Sequence, residues 1–172
     1  CFFRFEFNGL GEFTIAQTTD SDAVEIQARF EKCNANTDAT CTTAAAVKGY
    51  GHTVRLYSSG NTVTVRADSN TINIDSTQFP YSVGGGELVL LRDSGTLNFE
   101  IQTQNGLSLQ YRLQEGFTMI GVGAGNNLKG KLKGFYGNFD GLRANDFETN
   151  TGTVINFPAT AVEIFSWGQT CK

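Results

Sequence analysis

The chain has 172 residues, enough to bury a substantial core as one domain over 1–172, and its 40% hydrophobic and 17% charged content excludes a disordered tail. A formal net charge of −4 and a pI near 5.0 argue against binding to nucleic acid or to an anionic membrane surface, since both need clustered positive charge. No apolar run approaches the roughly 20 residues that cross a bilayer, so this segment is not expected to insert into a membrane. With 14 Phe, 20 Gly and 2 Pro, the composition favours half-buried strands joined by Gly, Asn, Asp and Ser turns.

Alternation begins at once. Phe3, Phe5 and Phe7 interleave with Arg4 and Glu6, Asn8-Gly9 supplies a turn, and Phe13 and Ile15 resume the pattern, so 2–17 read as a pair of strands. Val24, Ile26, Ala28 and Phe30 give the next strand. After a cysteine-flanked loop, strands are expected over 44–48, 52–57, 62–67, 71–74, 88–92, 96–103, 108–113 and 117–122. Gly84, Gly85 and Gly86, and likewise Gly121, Gly123 and Gly125, read as turns or bulges, because neither run leads into a helix that would cradle phosphate. A last alternating stretch covers 128–135, with Lys129, Lys131 and Lys133 on one face, and a short helix is expected near 159–167. Strands at such short intervals predict an all-β, antiparallel sandwich or open barrel rather than βαβ units.

The four cysteines, Cys1, Cys33, Cys41 and Cys171, allow three pairings. Cys33 and Cys41 flank a polar, turn-prone heptapeptide, so a local disulfide there is the least costly pairing. Cys1 and Cys171 would then tie the ends together. Free thiols are the alternative. A zinc site fits poorly, with one His and scattered thiols. An oxidising, extracellular compartment is the reading. The start at Cys1, with no Met, basic region or apolar core of a leader, reads as a mature or excised product.

The densest chemistry lies in Asn138-Phe139-Asp140-Gly141-Leu142-Arg143-Ala144-Asn145-Asp146. The side chains of Asn138, Asp140, Asn145 and Asp146, with the Leu142 carbonyl, offer hard oxygens of the kind calcium takes. The same residues read equally as an Asx-turn loop bonding its own backbone. Catalysis has little support. His52 stands alone in a strand, and neither a Gly-x-Ser-x-Gly elbow nor a His-Glu-x-x-His pair occurs. The three lysines read as a solvated face or protected edge ahead of an acidic-ligand site.

The run Gly134-Phe135-Tyr136-Gly137-Asn138-Phe139-Asp140-Gly141, the pair Asn145-Asp146 and then Phe165-Ser166-Trp167-Gly168 resemble the end of a von Willebrand factor type D domain. Phe7-Asn8-Gly9-Leu10-Gly11-Glu12-Phe13 resembles a motif of type D domains in membrane-mucin-like and sushi-domain proteins. Two departures stand out. Tyr136 occupies the position of a usual family cysteine, and the upstream Asp that normally joins the calcium site is missing or cut away. The resemblance implies a two-sheet extracellular β domain with calcium held by Asn138, Asp140, the Leu142 carbonyl, Asn145 and Asp146.

The expected function is therefore a non-catalytic structural or adhesive module of a secreted or cell-surface mucin-like or matrix glycoprotein. Its expected partners are other protein chains, a cleaved N-terminal peptide of the same precursor, or further copies in an oligomer or filament. A carbohydrate- or lipid-binding module is the second reading, marked by a groove of exposed aromatics. A fragment of a larger secreted enzyme of the luciferase kind is the third.

Overall fold

The computed structural model describes residues 8–21, 23–142, 145–146 and 153–155. Among the described residues, twelve strands follow in chain order: β1 Gly11–Thr18, β2 Glu25–Lys32, β3 Thr40–Gly49, β4 His52–Ser59, β5 Thr62–Ala67, β6 Asn70–Ile72, β7 Tyr81–Val83, β8 Leu88–Arg92, β9 Asn98–Thr103, β10 Leu107–Gln114, β11 Phe117–Ala124 and β12 Leu132–Lys133. The period-2 pattern explains them directly. In β5, Val63, Val65 and Ala67 are buried while Thr62, Thr64 and Arg66 are exposed. In β10, Leu107, Leu109, Tyr111 and Leu113 turn inward in the same way.

All twelve belong to one sheet, ordered β12-β1-β2-β3-β11-β10-β9-β8-β7, with β4, β5 and β6 branching from β3. The fork arises because β3 is long. Near its start Thr42 pairs with Thr118 of β11, whereas Ala44 to Gly49 pair with Tyr57 to His52 of β4. Thr118 Oγ1 donates to Ser58 Oγ at 2.7 Å, and Ser58 Oγ donates to the Thr43 carbonyl at 3.1 Å, so hydroxyls pin the branch point. Beyond it the sheet curls into an open half-barrel. A single cluster joins Val54, Leu56 and Val65 of one arm with Leu90, Ile101 and Leu109 of the other. At the far end the arms meet again, where the Asn105 backbone N–H donates to the Tyr50 hydroxyl at 3.1 Å.

The all-β expectation holds, and the strand expected over 62–67 has those limits here. Three details differ. Gly121 and Gly123 are not turns or bulges but regular strand residues, paired with Gln110 and Ser108, because an unbroken ladder to β10 holds them extended. The stretch 128–135 is not one strand; only Leu132 and Lys133 pair, with Thr18 and Gln17. A 3-10 turn over Asn126–Leu128 and positive φ at Gly130 and Gly134 interrupt it, so the three lysines do not share one strand face, although all are exposed. A short strand, β7, arises where only three residues pair with β8. The strand expected at 2–7 and the helix expected at 159–167 lie outside the described residues.

Candidate metal centre

The 138–146 loop is anchored on an irregularity in β1. Ile15 is an extra residue between Thr14, opposite Gln27, and Ala16, opposite Ile26. Such a bulge turns a carbonyl away from the ladder. The Ile15 carbonyl accepts from the Tyr136 N–H at 3.0 Å, and the Thr14 carbonyl from the Phe135 N–H at 3.3 Å. Gly134 is what lets the backbones approach so closely: a Cβ there would lie 2.8 Å from the Ile15 carbonyl oxygen. Phe135 then enters the core and stacks on Phe13.

From that anchor the loop folds around Asp140. Its Oδ2 accepts from Asn145 Nδ2 at 2.9 Å and from Asn138 Nδ2 at 3.2 Å, and its Oδ1 accepts from the Leu142 N–H at 2.5 Å. The Asp140 N–H donates to Asn138 Oδ1 at 3.0 Å, and the Leu142 carbonyl accepts from the Asn145 N–H at 3.5 Å. These bonds, led by Asn145 and the Leu142 N–H, hold the Asp140 carboxyl below its ordinary value, with help from the Lys129 charge. Asp146 moves the other way. Burial chiefly, and the Asp140 charge, push its carboxyl up, against an opposing bond from the Asn138 backbone. Gly137 makes room for it, since a Cβ on Gly137 would come within 2.7 Å of the Asp146 Cβ.

Asn138, Asp140, Asn145 and Asp146 are thus brought together, while the exposed Leu142 presents its backbone rather than its side chain to the group. The donor set is all oxygen. Asn145 Oδ1 is buried and accepts no hydrogen bond among the described residues. An unsatisfied buried acceptor beside two carboxylates is compatible with a hard cation, while the bonds that Asp140 accepts from the loop's own amides are those of an Asx-turn loop. Among the described residues, no group of three or more His, Cys, Asp or Glu side chains is placed to hold a metal, so a site here rests on amide and backbone oxygens as well. Sequence reasoning missed the supports. Nothing local marks the Ile15 carbonyl, the packing of Gly137 on Asp146, or Lys129 as the neighbouring charge.

Cys33 and Cys41 are joined in a disulfide, with Cα atoms 4.9 Å apart; Cys1 and Cys171 lie outside the described residues. His52 is half-buried and its Nδ1 lies 2.9 Å from Asp68 Oδ2. An open depression on the outer face of β1–β4 is lined by Glu12, Gln27, Arg29, Arg55 and Tyr57 over Ala44 and Ala46. Its one aromatic ring falls short of a stacking platform, and Arg29 is already paired with Glu12. No helix among the described residues is long and apolar enough to cross a membrane.

Human (Homo sapiens) Mucin-5AC is 27% identical over 169 residues, a similarity that covers 97% of this chain and 3% of that protein. The chain therefore spans a small fraction of the length of the curated relative it matches. The sequence model of the von Willebrand factor type D domain matches residues 3–153, which include β1 to β12 and the whole 138–146 loop. The chain belongs to the von Willebrand factor type D domain family.

Proposed function

We propose that this chain is a non-catalytic, extracellular structural module, one domain of a mucin-like or matrix glycoprotein, that assembles with other protein chains and is stiffened by a disulfide and by calcium. Family membership and the similarity to a mucin support the extracellular, assembling role. The disulfide between Cys33 and Cys41 supports an oxidising compartment. The observation that carries the calcium reading is the convergence of Asn138, Asp140, Asn145 and Asp146, with Asn145 Oδ1 buried and unpartnered. The fork in the sheet supports a sandwich-like arrangement of two facing arms over one core.

Bound calcium supplies positive charge that two neighbouring carboxylates can share. The protein's part is to hold the oxygens. Asn138 and Asn145 orient the Asp140 carboxylate, Gly137 admits Asp146, and the Ile15 carbonyl fixes where the loop begins. A cation that binds only the folded chain stabilises it by mass action, by about 2.7 kcal/mol at a hundredfold excess over its dissociation constant. Calorimetric titration with calcium and thermal melts in calcium or chelator test the reading. The melting temperature should rise with calcium, and Asp140→Ala should remove that rise while leaving the strands folded. Identical melts for wild type and Asp140→Ala in both conditions would mean that the loop is a polar turn and no more.

A further inference from the structure

Residues directly opposite one another in an antiparallel sheet share a face. The register therefore sets Thr14, Gln27, Ala46, Arg55 and Arg66 in one row across β1 to β5, and Glu12, Arg29, Ala44, Tyr57 and Thr64 in the next. In the second row charge is matched, since Arg29 donates to Glu12 Oε1 from Nε at 3.0 Å and from Nη2 at 2.5 Å. The first row is different. Arg55 and Arg66 stand directly opposite each other, and neither has a carboxylate within ion-pair distance among the described residues. Like charges so placed are destabilising. Asp68, whose charge reaches Arg55, has both oxygens engaged elsewhere, Oδ2 by His52 and Oδ1 by the Thr53 N–H.

Between the arginines the sheet is bare. Arg29 on β2 and Arg55 on β4 are two strand spacings apart, about 10 Å. The strand between them offers only the methyl groups of Ala44 and Ala46. An open depression of about 120 Å³ results, short of the roughly 300–1,000 Å³ that enclose a drug-sized ligand. Its rim has donors to spare. Arg29 Nη1 makes no bond among the described residues, and Arg55 uses only Nη1, toward the Asp68 carbonyl at 3.3 Å.

We infer that this depression binds a sulfate monoester carried on a sugar. Such a group brings one negative charge and three terminal oxygens to three guanidiniums, two of which lack an anion. A carboxylate has two oxygens, which a single guanidinium fork satisfies. The Gln27 amide and the Tyr57 and Thr64 hydroxyls flank the alanine floor and suit sugar hydroxyls better than an apolar side chain. The contact is ionic and hydrogen-bonded, with no covalent step. No residue of the 138–146 loop lines the depression, so binding here needs no calcium.

Titration of the 15N-labelled chain with galactose 6-sulfate, followed through its amide shifts, tests the site. The amides of Ala44, Ala46, Arg55 and Arg66 should move and those of β8 to β10 should not, in calcium and in chelator alike. Galactose should have no effect, and galacturonate, inorganic sulfate and tyrosine O-sulfate should each bind at least about fivefold more weakly. Arg55→Gln should weaken binding about tenfold. Arg66→Gln separates binding from structure: with one of two opposed charges gone, the melting temperature should rise while affinity falls about fivefold. A lower melting temperature or an unchanged affinity in that variant would overturn the site. Equal binding of galactose or galacturonate would overturn the sulfate, and equal or tighter binding of inorganic or tyrosine sulfate would overturn the sugar. Should Arg55→Gln not fold, Arg66→Gln, at an exposed position, decides alone.

Discussion

Phe13 and Phe135 stack with ring centroids 5.4 Å apart and planes 24° from parallel, and so join the first described strand to the segment that carries the oxygen-rich loop. Both rings are nearly inaccessible, at 0% and 6% exposure, which makes Phe135 a core residue although it lies outside any strand. Removing a buried aromatic ring costs about 3–5 kcal/mol. Phe135→Ala should therefore lower stability by about that amount in denaturant titration, and Phe135→Leu by less. The loss should be equal with and without calcium if the ring acts through packing alone.

Asp146 offers a sharper test of the loop. Its folded carboxyl is raised, so ionisation works against folding; the penalty is absent below the unfolded value and sets in as pH rises through the folded one. Asp140 is lowered, so its contribution is present above the unfolded value and is lost as pH falls through the folded one. In chelator near neutral pH, Asp146→Asn should melt higher than wild type, because it removes a desolvated charge beside Asp140. In excess calcium the order should reverse. An Asp146→Asn protein that melts below wild type in both conditions would contradict the repulsion argument.

The Cys33–Cys41 bridge closes a short loop, and loops of this size stabilise by roughly 2–3 kcal/mol in the chain-entropy picture. Replacing both cysteines with serine should cost about that much while β2 and β3 stay paired, which circular dichroism and urea titration can read. Non-reducing peptide mapping should return Cys33 linked to Cys41 and, in the same experiment, identify the partners of Cys1 and Cys171.

Tyr50 spans the far end of the fork, and its hydroxyl is an acceptor for the Asn105 N–H. Tyr50→Phe keeps the ring but strands a part-buried backbone donor, at a cost of about 1–3 kcal/mol. The amides around Asn105 and Gly106 should lose exchange protection in this variant, while those of β1 and β2 should not. Uniform loss across the sheet would show that the bond does not act locally.

Local alternation by itself determined that this chain is all-β, and it located most of the strands, because a period of two is written into residues such as Val63, Val65 and Ala67 whatever they pack against. It also identified the Cys33–Cys41 loop and placed Asn138, Asp140, Asn145 and Asp146 within one short polar segment. Where alternation failed, backbone partners had the deciding influence. Lys129, Lys131 and Lys133 alternate as a strand would, yet Gly130 and Gly134 take positive φ and the backbone bonds of 135 and 136 go to the β1 bulge. Gly121 and Gly123 look like turn residues but stay extended, since β10 offers them an uninterrupted ladder. Only the tertiary structure decided that the sheet forks at β3 and that the oxygen-rich loop is anchored on the Ile15 carbonyl. Each of these depends on residues far apart in the chain meeting at one point, and the chemistry of a residue specifies what it can bond to, not which distant partner the fold will bring to it.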